Sequence, residues 1–225
     1  MEPKTLDHVA LWVADRDRIA EFCYAHLGMH EIAREEGFTL VGSHARHGKL
    51  TLFAAEGPRE PGALVRVGLR VSDLGEALAA LPGGTGEEFE VAEGLRIRLV
   101  EAATEVEYDL DHVALRAADP EAAAALYRGQ LGFRAAEPGA DGVPRVEVGG
   151  AYVELYPGDP GAPERPLLNH VAVLVDSADD VIAEAEELGI VESVVDAANT
   201  YAVFVWGPDR VRVEYVEHKP TFSLS

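Results

Sequence analysis

The sequence predicts an α+β protein made of four β-α-β-β-β units in two pairs, each pair a cupped mixed sheet with helices outside. Three observations carry this. The hexapeptide LDHVAL occurs at Leu6–Leu11 and again at Leu110–Leu115, with a near copy, NHVAVL, at Asn169–Leu174. The tripeptides LGM (Leu27–Met29) and LGF (Leu131–Phe133) recur at the same offset of 104 residues that separates Leu6 from Leu110. Each copy of the hexapeptide is followed by a helix-like stretch and then by strand-like runs. A repeat of this kind constrains the fold more tightly than any single propensity does.

In chain order, the first unit begins with the alternating strand Leu6–Val13 and continues into a helix over about Asp17–His26. Gly28 closes that helix, as glycine does in a left-handed C-terminal position. Strands follow at Glu31–Ile32, Thr39–Val41 and Lys49–Ala54, and the loop Gly57–Gly62 ends the unit. The second unit is a shorter copy: strand Leu64–Val71, Ser72 and Asp73 as caps, a helix through Leu81, and strands near Phe89–Val91 and at Leu95–Val100. The acidic segment Glu101–Asp109 is the best boundary, giving an N-terminal pair over 1–104 and a C-terminal pair over 105–225. In the third unit Asp119-Pro120 is an N-cap followed by proline at the first helical position. The helix runs to about Gln130, with strands at Arg145–Val148 and Ala151–Tyr156. After the proline- and glycine-rich linker Pro157–Pro166, the fourth unit has strand Leu168–Val175, a helix over Ser177–Leu188 stopped by Gly189, and strands near Val191–Val194, Tyr201–Val205 and Val211–Val216.

Composition excludes several function classes. The formal net charge of −21 repels phosphate backbones and anionic lipid, so neither nucleic acid nor a membrane is the expected partner. No apolar run approaches the roughly 18 to 20 residues that span a bilayer. One cysteine, Cys23, forms no intrachain disulfide and fits a reducing cytoplasm. The expected partner is a small-molecule substrate, and a homodimer is admissible.

The residues that carry chemistry are polar side chains set in hydrophobic strands. Alternate strand residues share a face, so His112 lies with Ala114 and Arg116, and Glu154 with Tyr152 and Tyr156. His170 and Glu214 occupy the equivalent positions of the fourth unit. If the third and fourth units pair about a pseudo-twofold axis, all four converge in one cup. Two imidazoles and one or two carboxylates suit Fe(II), Mn(II), Ni(II), Co(II) or Zn(II). The N-terminal pair supplies His8, Leu52, Arg66 and Arg98 at the four corresponding positions. Leucine cannot ligate and arginine is a permanent cation, so that cup is expected to hold no metal and His8 to be a structural relic. An anion site built from Arg66, Arg98 and His8 is the lesser alternative.

These modules, the first-strand DHVAL, the LYxxxLGF at the helix end (Leu126, Tyr127, Leu131, Gly132, Phe133) and the closing Gly207–Glu217 resemble the vicinal oxygen chelate superfamily. That superfamily includes glyoxalase I, extradiol dioxygenases, and bleomycin and fosfomycin resistance proteins. The resemblance implies that His112, His170 and Glu214 match a 2-His-1-carboxylate triad and that Glu154 is a further ligand, with Glu154 or Glu214 able to act as the base beside a metal-bound enediolate. It implies a metal-dependent lyase or isomerase of the glyoxalase type, with an Fe(II) extradiol dioxygenase and a non-catalytic binding protein as alternatives. The extradiol pattern places a second-sphere histidine and a tyrosine ahead of the final glutamate. Asp196–Glu214 has no histidine, and Phe204 falls about where the tyrosine belongs.

Overall fold

A computed structural model of the chain describes residues 1–83, 85–139 and 141–223. The first unit contains β1 (Thr5–Val13), α1 (Arg16–His26), β2 (His30–Arg34), β3 (Phe38–His44) and β4 (His47–Ala54). The second contains β5 (Leu64–Val71), α2 (Leu74–Ala80), β6 (Glu88–Ala92) and β7 (Leu95–Glu101), one strand fewer. The third contains β8 (Asp109–Ala117), α3 (Pro120–Gly129), β9 (Arg134–Ala135), β10 (Arg145–Val148) and β11 (Ala151–Pro157). The fourth contains β12 (Leu168–Leu174), α4 (Ala178–Leu188), β13 (Val191–Asp196), β14 (Thr200–Trp206) and β15 (Arg212–His218). Among the described residues no helix is long and apolar enough to cross a membrane.

Each helix starts where a short polar side chain can satisfy an orphan backbone N–H. Asp15, Asp73, Asp119 and Ser177 accept from the amides of Arg18, Glu76, Ala122 and Asp180 at 3.0, 2.8, 3.1 and 3.2 Å. Helix α4 ends at Gly189, whose φ of 67° is the left-handed turn that glycine adopts without a Cβ penalty.

The α+β architecture of two mixed sheets agrees with expectation, but the pairing of units does not. One sheet runs β13-β14-β15-β12-β1-β4-β3-β2 and the other β6-β7-β5-β8-β11-β10-β9. The first unit therefore pairs with the fourth, and the second with the third. The division into sequential pairs over 1–104 and 105–225 is not how the sheets assemble. In each sheet the first strands of two units lie antiparallel at the centre, β1 against β12 and β5 against β8. The physical reason is that all four first strands carry interchangeable apolar faces, so periodicity is satisfied by either pairing. Strand β8 follows β5 through a single helix, a hairpin and a short link, and turns back alongside it.

One continuous hydrophobic core runs through both sheets and their helices, with Val9, Leu11, Leu50, Leu69, Val113, Tyr127, Val173 and Tyr215 all buried. A separate small cluster, Ala172, Ala202, Phe204 and Val216, lies apart from it. These four come from β12, β14 and β15 and share the face of Glu214, so they line the inside of the first cup.

Candidate metal centre

Three donor atoms from distant parts of the chain converge in the sheet formed by the first and fourth units. His8 Nε2 lies 3.0 Å from His170 Nε2 and 3.2 Å from Glu214 Oε2, and His170 Nε2 lies 2.9 Å from the same oxygen. His170 and Glu214 are buried and His8 is mostly so. Strand register brings them together: Ala10 faces His170, His8 faces Ala172, and Ala172 faces Glu214 on the next, parallel strand.

The rings are aimed by two β-bulges. The β1–β12 register slips between Leu6 and His8 and again between Ala10 and Leu11, leaving Asp7 and Asn169 as the extra residues. A bulge redirects the side chain of its extra residue. Asp7 Oδ1 thereby accepts from His8 Nδ1 at 2.7 Å, and Asn169 Oδ1 from His170 Nδ1 at 2.8 Å. With both Nδ1 protons so engaged, each Nε2 presents a lone pair. Two lone pairs and a carboxylate oxygen facing one another require a shared proton or a cation between them. Donor atoms at right angles around an ion at about 2.1 Å stand roughly 3.0 Å apart. The three separations match one face of such a coordination sphere, and the donor set is the 2-His-1-carboxylate type.

Without an ion, the electrostatics place the shared proton on His8, which a bound cation would have to displace. Burial lowers the His8 imidazole, but its hydrogen bonds and charge attraction with Asp7 and Glu214 outweigh this and raise it to about 9. His170 is lowered by burial despite Glu214. Burial raises the Glu214 carboxyl, yet His170 and His8 hold it well below the carboxylate range. Asp7 is likewise lowered against its burial, first by Lys49 and then by His218 and His8. Buried Lys49 sits 2.8 Å from Asp7, and His218 Nε2 lies 2.9 Å from the other Asp7 oxygen. Phe222 stacks on His218 at 4.0 Å between centroids.

Aromatic rings wall the triad. Phe204 stands 5.1 Å and Phe53 6.3 Å from the His170 ring, and Trp12 lies 5.2 Å from Phe53. Further along the same strands a cavity of about 480 Å³ opens beside Asn169 and Arg212. The segment 160–163 and Pro166, expected as a mere linker, forms one of its walls.

The sequence expectation that His112, Glu154, His170 and Glu214 form one ligand set does not match this geometry. His170 and Glu214 meet His8, whereas His112 and Glu154 lie in the other sheet. There Arg66 faces Ala114 across the sheet as His170 faces Ala10, and Arg98 faces Gly68 as Glu214 faces Ala172. The second cup therefore presents His112, Glu154, Arg66 and Arg98. Its centre is filled by the Arg66 guanidinium, which donates to His112 Nε2 at 3.2 Å, Glu154 Oε2 at 3.0 Å and the Tyr156 hydroxyl at 2.5 Å. Asp111, also a bulge residue, accepts from His112 Nδ1 at 2.7 Å, as Asp7 does from His8. Arg66, Arg98 and His8 do not come together as an anion site, since His8 lies in the other cup.

His8 is thus a member of the triad and not a relic. The fourth corner of its cup is Thr51, which faces Ala10 as Glu154 faces Ala114. The expected residue, Leu52, is instead fully buried in the core. The missed signal was the polar residue before each histidine, Asp7, Asp111 and Asn169, which marks the three bulges.

The model of the Glyoxalase/Bleomycin resistance protein/Dioxygenase superfamily matches residues 5–96 and 109–215. Among solved structures, a Bacillus subtilis protein provisionally assigned as a dioxygenase superposes with a TM-score of 0.80 at 16% identity, covering 98% of this chain and 87% of that one. Glyoxalase I from Zea mays gives 0.73 at 16% identity, covering 95% and 92%, and the cppA protein from Streptococcus pneumoniae 0.59 at 14%, covering 96% and 98%. At these identities the likeness concerns the fold. Comparison with curated proteins gives no sequence match. With the family model matched over both halves of the repeat, the chain belongs to the Glyoxalase/Bleomycin resistance protein/Dioxygenase superfamily.

Proposed function

We propose that this protein is a divalent-metal-dependent dioxygenase acting on a small substrate held through two neighbouring oxygens, with His8, His170 and Glu214 as the metal ligands. The carrying observation is the triad itself: three donor atoms 2.9 to 3.2 Å apart, with a neutral threonine at the fourth corner. A 2-His-1-carboxylate face leaves positions for both a chelating substrate and oxygen. When bound, the metal supplies charge stabilisation and a template for both reactants.

The chain's own residues orient and enclose. Asp7 and Asn169 fix the two rings through Nδ1, and Lys49 balances the charge of Asp7 so that it can remain ionised in the interior. Phe53 and Phe204 keep water from the ligand face. The lyase or isomerase reading asks for a carboxylate base at the fourth corner. Of the two residues expected to serve, Glu154 is paired with Arg66 in the other cup, and Glu214 is one of the three proposed ligands.

The test is metal analysis of protein prepared without chelator, together with oxygen uptake on simple catechols. One metal ion per chain is expected, lost in His8→Ala and Glu214→Ala and retained in His112→Ala and Glu154→Ala. Metal surviving the first two substitutions, or turnover without oxygen, would overturn the proposal.

A further inference from the structure

The cavity beside the triad points to the substrate's chemical class. Trp12, Leu168, Trp206 and Arg212 each stand two residues beyond a position at the triad or its apolar wall: Ala10, His170, Phe204 and Glu214 respectively. Two residues of strand advance the chain by roughly 7 Å, about the length of one aromatic ring with its bond. A substrate chelated at His8, His170 and Glu214 must therefore project its remainder toward this cavity. Toward the opposite end of the cup Phe222 stacks on His218.

The cavity's charges are balanced. Glu192 and Asp209 face it along with Arg210 and Arg212. Arg212 is committed: its guanidinium donates to Glu192 Oε2 at 2.6 and 3.1 Å and lies 3.9 Å from the Phe204 ring centroid. A carboxylate-bearing substrate would have to displace Glu192 to gain that cation, within a protein of net charge −21. Arg210 lies over the Trp206 ring, 5.5 Å from its centroid, with the Asp209 carboxylate its neighbour in sequence to offset its charge; the other contacts are mainly indole faces, Leu168 and the proline-rich wall.

We infer that the substrate carries a neutral apolar body, about one ring beyond its chelating oxygens, which lies between Trp12 and Trp206. This rests on the metal-site reading above for the placement of the oxygens but not for the nature of the cavity. These are the only two tryptophans in the chain, so tryptophan emission reports on this cavity alone.

The experiment titrates metal-free and Mn(II)-loaded protein, under argon, with 4-phenylcatechol, catechol and 3,4-dihydroxyphenylacetate while following that emission. 4-Phenylcatechol is expected to quench both forms and to bind at least tenfold more tightly than catechol, because its second ring leaves water. Dihydroxyphenylacetate is expected to bind more weakly than catechol. Trp206→Ala, at a largely exposed position, should cut the phenyl advantage below threefold. Equal binding of 4-phenylcatechol and catechol, tighter binding of the anionic probe, or a phenyl advantage that survives Trp206→Ala would overturn the inference. Failure of Mn(II) to bind, with the phenyl advantage intact, would overturn the metal reading and support the cavity assignment.

Discussion

The two cups share one backbone plan and differ in what faces their buried acceptor atoms. In the first, His8, His170 and Glu214 turn three electron-rich atoms toward one another, and Thr51 takes the fourth corner. In the second, His112 and Glu154 face Arg66, whose guanidinium reaches both and Tyr156 as well. An arginine is always charged and needs no loading. A buried cluster of acceptors can be neutralised from within the chain, which gives structure, or left for an ion from solution, which gives chemistry. On the metal-site proposal above, the duplication has taken both routes.

The comparison breaks most decisively at the ligands. His170→Ala or Glu214→Ala should abolish stoichiometric metal binding, read by chelator competition, while Glu154→Ala leaves it intact. The reverse outcome would exchange the roles of the cups. Next in size is Arg66→Met, which strands the buried Glu154 carboxylate. It should cost about 3–5 kcal/mol of unfolding free energy, measured by urea denaturation, without changing metal content. A sharper version replaces both arginines: Arg66→His with Arg98→Glu gives the second cup the donor set His, His, Glu, Glu, and a second metal equivalent is the expected result.

Smaller effects test the bulge residues. Asp7→Asn should weaken metal binding by about 10–100-fold, the usual cost of losing a hydrogen-bonded partner behind a ligand, and Asn169→Ala by less, since its amide is neutral. If Asp7→Asn left affinity unchanged, the bulges would be packing devices only. The smallest expected effect concerns the helices. Cys23 of α1 is buried in the core, and burial pushes its thiol up to about 12, so a thiol reagent at pH 8 should react only as the protein unfolds.

The sequence made the repeat, the helices and the chemistry-bearing strand positions legible. Caps such as Asp119-Pro120 and the glycine at 189 announce their helices locally, within a few residues. The histidines were recognisable because a polar residue recurs at one place in similar strands. What remained hidden was which unit lies against which. The exposed pattern of β1 suits β5 and β12 equally, and only the assembled sheet distinguishes them. That single ambiguity set His112, in place of His8, beside His170 and Glu214. A finer error has a finer cause. The offset between the first and third units is 104 residues at His8 and His112 but 103 at Lys49 and Tyr152, which face those histidines on the last strand of each unit. Carried to Glu154, an offset of 104 points to Leu50 and one of 103 to Thr51, while the expected Leu52 implies 102; with the offset drifting along the unit, only the strand register fixes Thr51 as the fourth corner.

The contact between His8 and His170 spans 162 residues of sequence. A site closed over so long a loop is among the last features a folding chain can form, because the entropy of bringing such distant strands together comes before any return from their contact. During synthesis the first unit must wait, with one edge of β1 unpaired, until the fourth unit emerges, and an unpaired edge of this kind invites association with other chains. An ion held by His8, His170 and Glu214 would fasten the first unit to the fourth directly, so that metal uptake and completion of the larger sheet become a single event.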